Sequence, residues 1–229
     1  MTRPYAQQSI ALLLLLLAAG QARADDAQGA AGDPDVEMAP DLTVESETPE
    51  RGHYRLRGSG LAPIPPRAAL EILTAFEEHC ADGCRWPVSS LDHVEIVTAQ
   101  AAGADGDVFT WTEIDDVMDA SYFQRARRQD LDAGHVLTIE IPEAEVLDAL
   151  GTERRRHRPF FQSQRVTWRL TPSPGGGTLV EVDMEMRSDS FLINLAPRRV
   201  LEGAEQNLQE LFDHLRLGGE DGAEAEADS

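Results

Sequence analysis

The stretch Ala196–Leu215, APRRVLEGAEQNLQELFDHL, decides how the rest of the chain is read. Pro197 suits the first position of a helix, where its missing N–H would have no partner in any case. From there Leu201, Ala204, Leu208, Leu211 and Leu215 recur at steps of three and four, so they share one face. Glu202, Glu205, Gln209, Glu210 and Asp213 occupy the rest, and Gly218–Gly219 sits where helices commonly stop. The spacing predicts one long amphipathic helix over Pro197–Leu215, and a single apolar stripe of this kind has to be buried against another element. The residues just before it, 160–188, read as two strands. The simplest arrangement is a final helix lying on an antiparallel sheet, with a cavity between the two as the seat of function.

The strands are read from alternation. Thr178–Arg187 alternates most cleanly, with Val180, Val182, Met184 and Met186 on one face and Glu181, Asp183, Glu185 and Arg187 on the other. PSPGGG at Pro172–Gly177 marks the turn before it. Phe160–Leu170 places Val166, Trp168 and Leu170 in register with Gln162 and Gln164. Upstream, Arg51–Gly58, Val94–Ala99, Val108–Ile114, Val117–Arg127 and His135–Ile141 give five further strands. In Val108–Ile114 the threonines and aliphatics face one way and Phe109 and Trp111 the other; in the next strand Tyr122, Gln124 and Ala126 oppose Phe123, Arg125 and Arg127. Pro66 opens a helix whose apolar face is Ala69, Ile72, Leu73, Phe76 and Cys80, and which is expected to end at Asp82–Gly83. A short helix is expected over Pro142–Leu150. The order of strand, helix, a run of strands and one long helix is an α+β layout.

The ends of the chain differ in kind from its middle. A basic start, an apolar run over Ile10–Ala19 and the small residues Ala22-Arg23-Ala24 make residues 1–24 a secretory signal peptide, so the mature protein is expected in the periplasm or secreted. Residues 25–50 hold nine acids and no base, which reads as a disordered linker, and 218–229, with five acids, as a disordered tail. The folded domain is then 51–217. A formal net charge of −21 argues against a nucleic-acid partner. Every one of the 20 basic residues is arginine, which excludes Schiff-base chemistry and a P-loop lysine. Arg154, Arg155, Arg156, His157 and Arg158 form a basic run that reads as a solvated loop, or as a grip on an anionic head group if it stands at a cavity mouth.

Cys80 and Cys84 are the only cysteines. In an oxidising compartment so close a pair reads as a disulfide at a helix end. A zinc site with His79 or His93 is the alternative, and it lacks a full ligand set at the usual spacing.

Thr167–Met186 (TWRLTPSPGGGTLVEVDMEM) followed by Ser190–Leu215 (SFLINLAPRRVLEGAEQNLQELFDHL) resembles the START-like (SRPBCC) superfamily, which includes polyketide cyclase/dehydrase and lipid-transport proteins. Ile64–His79 (IPPRAALEILTAFEEH) looks like its first helix and Asp92–Ala99 its second strand. The resemblance implies a helix-grip fold, in which a curved antiparallel sheet wraps the C-terminal helix around an elongated apolar cavity. The family has no shared catalytic motif to carry over, and many of its members are cytosolic, unlike a chain with a secretion signal.

Within such a grip Trp111, Tyr122, Trp168, Met184 and Met186 are candidates to line the cavity, facing Ala204 and Leu208 of the helix. Large, flexible and aromatic side chains suit an apolar ligand and equally suit an ordinary core. Gln162 and Gln164 are candidates to meet the polar end of a ligand, since buried amides require partners, or equally to stand exposed near the mouth of the strand. Phe191, with Leu192 and Ile193, makes an apolar loop fit to gate the cavity, to touch a membrane transiently, or simply to pack under the helix start. No GxSxG, HExxH, GxGxxG or P-loop occurs, no metal ligand set is found, and no cofactor is expected. Three readings follow: an exported binding protein for a lipid or other apolar small molecule, a cyclase or hydrolase on the same fold, and an unliganded envelope interaction protein. The first is preferred on the analogy of fold.

Overall fold

The computed structural model of the chain describes residues 42–80, 83–97, 107–114, 120–149 and 159–227. The expected signal peptide, residues 25–41 of the acidic segment and the basic run at 154–158 lie outside them. Among the described residues there are eight strands: β1 (Thr43–Glu50), β2 (His53–Ala62), β3 (His93–Val97), β4 (Val108–Ile114), β5 (Ala120–Leu131), β6 (Gly134–Glu140), β7 (Ser163–Pro172) and β8 (Thr178–Arg187). The helices among the described residues are α1 (Pro66–Thr74), α2 (Ala144–Ala149) and α3 (Pro197–Ala227), with single 3-10 turns at Phe76–Glu78 and Ile193–Leu195. The strands form one antiparallel sheet in the order β1-β2-β8-β7-β6-β5-β4-β3, so β2 pairs with β8 and brings the two ends of the domain together. This is the α+β helix-grip arrangement: a large curved sheet and a long C-terminal helix.

One face of the sheet carries the core. Tyr54 and Leu56 of β2, Val180 to Met186 of β8, Val166, Trp168 and Leu170 of β7 and Leu137 of β6 are buried in one cluster with Leu208, Phe212 and Leu215 of α3. The opposite face of the same strands is charged, because side chains alternate along a strand. Across β2, β8, β7, β6 and β5 one rung reads Arg55, Glu185, Arg165, Glu140, Arg125, alternating in sign. Glu140 is the buried member. Burial alone would raise its pKa, but hydrogen bonds from Arg125 and Arg165 outweigh that and hold the carboxyl below its ordinary range.

α3 reaches the sheet over glycine. A Cβ on Gly60 of β2 would lie 2.4 Å from Phe212 Cζ, so the bare backbone lets the ring rest on the strand. The ring and Tyr54 are both fully buried. At the start of α3 the Tyr54 hydroxyl donates to Asn194 Oδ1 at 2.7 Å, and Asn194 Nδ2 donates to the Ser188 carbonyl at 2.9 Å. Gly52, at φ 78°, lies where a Cβ would meet that same carbonyl at 2.3 Å. The β8–α3 crossover is thereby tied to the turn between β1 and β2.

Three expectations need correction. The expectation of a disordered linker over 25–50 fails at Thr43–Glu50, which is β1, paired with β2 through Thr43↔Ser59 to Glu50↔His53. Its side chains are almost all exposed, so its place in the sheet comes from backbone pairing, which leaves no hydrophobic pattern to read. The first strand of the sequence reading, Arg51–Gly58, is accordingly shifted: Arg51–Gly52 is the turn and the strand runs to Ala62. The expectation of a disordered tail from 218 fails too, since α3 continues to Ala227. Gly218 does not stop it; a Cβ there would meet Ile72 Cδ1 at 2.5 Å, so this glycine serves the approach of α1. The first helix, finally, ends at Thr74 rather than near Gly83. Ala75 leaves helical geometry at ψ 54°, which turns Phe76 into the core.

Candidate ligand-binding face

The side chains expected to line a cavity are sorted by strand register. Trp168 lies opposite Val182 and Leu137; Met184 lies opposite Val166 and Leu56, and Met186 opposite Gln164 and Tyr54. All three bury into the main cluster with Ala204 and Leu208 of α3. Gln164 is half-buried on the same face. Tyr122 faces this side too, further along the sheet, opposite Thr112.

Trp111 is on the other side. It is paired with Phe123, and the two rings sit 4.7 Å apart in a separate cluster with Val97. Alternation puts odd positions of β4 away from α3, so Trp111 cannot line a cavity beneath the helix. Of the two outcomes open to Gln162 it takes the exposed one: it lies before the start of β7, and its amide donates to Asp189. Phe191 is 64% exposed, with Leu192 at 55% and Leu195 at 51%, so the loop tip is an apolar surface rather than packing under the helix. Arg187, Arg198 and Arg199 flank it in sequence.

The sequence reading passed over Thr110, Thr112 and Gln124 as site residues. Thr110 and Thr112 are each 1% exposed, Tyr122 is 5%, and Gln124 is half-buried. Register pairs Thr110 with Gln124 and Thr112 with Tyr122. Opposed side chains in such a pair stand about 5 Å apart, and same-face neighbours along a strand about 7 Å, so the four make one small patch. Thr112 Oγ1 donates to Gln124 Oε1 at 3.1 Å. Burial raises the Tyr122 pKa far above the ordinary phenol value, so the group stays neutral. The signal for this patch was in the alternation of VFTWTEI, but threonine is rarely singled out as a ligand contact.

The patch lies beyond the chief reach of the helix. α3 packs mainly on β1, β2 and α1, while α1 packs on β6 and β7. An opening of about 380 Å³ between β1 and α3 is lined by Leu42, Val44, Glu202, Glu205, Gln206 and Gln209. It is an open depression at the sheet edge, away from Tyr122.

At the other end of α1, Cys80 and Cys84 form a disulfide, as the spacing suggested. Both sulfurs are thus spoken for, and a thiolate zinc site is not formed there. Disulfides persist in oxidising compartments. Next to it His79 is buried, with Nε2 unpartnered, and faces His214 of α3.

This architecture is the START-like helix-grip fold. The STAR-related lipid transfer protein of Xanthomonas axonopodis (fragment 25–204) superposes with a TM-score of 0.55 at 16% identity, over 83% of this chain and 97% of that one. Human STARD10 gives 0.58 at 7% identity, over 83% and 75%. The lipid transfer and protein localization domain of human StarD13 gives 0.52 at 10% identity, over 94% and 98%. No family model matches the sequence, and no curated protein does. At these identities the likeness is one of fold.

Proposed function

We propose that the protein is an exported carrier that holds a lipid or other apolar small molecule between the concave face of the sheet and α3, and exchanges it by transient contact with a membrane. The observation that carries this reading is the concave face of β4 and β5. It is apolar apart from a few neutral polar side chains, Thr110, Thr112, Tyr122 and Gln124, and α3 rests chiefly elsewhere. An apolar face with a few neutral polar groups suits an apolar small molecule. The fold supports the reading, since structures named for lipid transfer share it. Phe191, Leu192 and Leu195 supply an exposed apolar tip beside Arg187, Arg198 and Arg199, a combination suited to a membrane surface. Export is supported by the disulfide and by the apolar leader at residues 1–24.

The test is native mass spectrometry of the protein expressed through an export pathway, followed by solvent extraction. A discrete added mass that extracts as a lipid or isoprenoid is the expected result. A bare protein mass, together with no uptake from vesicles of mixed lipids, removes the carrier reading.

A further inference from the structure

Resting on that reading, we infer that the bound molecule enters through the opening between β1 and α3, and that the first turns of α3 are the lid of this entry, hinged at Gly203 and latched by Tyr54 and Asn194. α3 is held unevenly. Over its middle it is anchored: Leu208, Phe212, His214 and Leu215 are all buried. Ser89 donates to the Glu210 carboxylate through its backbone N–H at 2.8 Å and its hydroxyl at 2.7 Å, and His214 meets the Pro87 carbonyl at 2.6 Å. No residue from Pro197 to Gly203 is buried. The opening begins along this loosely held part. Its helix wall starts at Glu202, and its other wall is Leu42 and Val44, which pack into the same core cluster as Ala204 and Leu208. A path from the opening therefore runs past these two side chains towards the apolar face, and lifting Pro197–Gly203 widens it.

The two ends of this segment have the properties of a hinge and a latch. Gly203 lies inside the helix, and a Cβ there would meet nothing within 4 Å, so packing does not require glycine as it does at Gly60 and Gly218. What glycine does at such a position is weaken the helix, which is where a bend is easiest. At the other end Asn194 accepts the hydrogen bond of the Tyr54 hydroxyl and donates its amide to the Ser188 carbonyl. Tyr54 is fully buried on β2 and serves as a fixed post. The exposed Leu192 and Leu195 flank Asn194, so sinking them into a bilayer bears directly on the latch.

Two measurements on the full chain test this. Hydrogen exchange of the protein without ligand should show residues 202–206 opening more readily than 208–215. Asn194→Ala should speed exchange at the first of these segments by roughly fivefold to tenfold, the size of one or two lost hydrogen bonds, and leave the second unchanged. Gly203→Ala, for which there is room, should slow the first by roughly threefold to fivefold. Stopped-flow binding of cis-parinaric acid then reads passage through the entry. Association and dissociation rates should both rise in Asn194→Ala and both fall in Gly203→Ala with Kd unchanged, because a lid alters the barrier and not the bound state. Uniform protection along α3 overturns the lid, and so do binding rates that neither variant moves or a Kd that shifts with them. Should Asn194→Ala fail to fold, Tyr54→Phe, which removes only the latch hydroxyl, takes its place. If parinaric acid is not taken up, the carrier reading fails and the entry with it, whereas uniform exchange with uptake intact removes the lid alone.

Discussion

Phe212→Ala is expected to lower the unfolding free energy by about 3–5 kcal/mol, the usual range for deleting a buried aromatic ring. Phe212 is fully buried, and it joins α3 to β2 where the strand has no side chain to fill the gap. Relaxation around the vacancy is limited, because Gly60 cannot extend into it and the strand is held on both sides by β1 and β8. The converse change, Gly60→Ala, introduces a methyl at 2.4 Å from the ring and is expected to cost about 1–3 kcal/mol through overpacking. The two are coupled: in the Phe212→Ala background, Gly60→Ala should be neutral or stabilising, since its clash partner is gone. Urea unfolding of the two single variants and the double variant measures this. Additive losses would mean that the ring does not rest on Gly60.

That contact shows how far the sequence could be read. The period of three and four in α3 and the alternation of β8 are strong signals, and both elements begin where the pattern places them, at Pro197 and Thr178. Phe212 escaped the stripe drawn through Leu208, Leu211 and Leu215, although it stands four residues after Leu208 and is as buried as Leu215. β1 was not legible because its evidence is a hydrogen-bond ladder, and acidic side chains on an edge strand look like those of a solvated leader. The site divides in the same way. The alternation that sets Trp111 and Tyr122 on opposite faces was visible in the sequence, but choosing lining residues by size placed both on one side. What burial adds is that small hydroxyl side chains, Thr110 and Thr112, occupy the face that the aromatic Trp111 was expected to share.

Acid should weaken the domain through His79. Its imidazole is buried at the end of α1's 3-10 extension, and burial first, then the neighbouring His214, push its pKa down from 6.5 to about 4, against a smaller opposing contribution from its hydrogen bond to the Ile72 backbone. His214 sits in α3, its Nε2–H donating to the Pro87 carbonyl at 2.6 Å and its ring against Trp86 at 5.6 Å. The site thus clamps the end of α1 and the disulfide loop to the C-terminal helix. Above pH 6.5 the His79 ring is neutral in both folded and unfolded chains and contributes no pH dependence. Between 6.5 and about 4 the unfolded chain takes up a proton that the folded chain refuses, so stability falls as pH falls; below about 4 both are protonated and the loss levels off. The full loss is on the order of 3 kcal/mol, at about 1.4 kcal/mol per pH unit within the window. Carboxylates titrate in the same range, so the contribution is isolated by difference. His79→Leu should be markedly less acid-sensitive than the unaltered protein, its stability curve diverging from the other below pH 6.5 and running parallel to it above. Urea midpoints for both proteins across pH 4 to 8 give the comparison, and curves that stay parallel throughout would show that His79 titrates normally and that the clamp between α1 and α3 is not proton-sensitive.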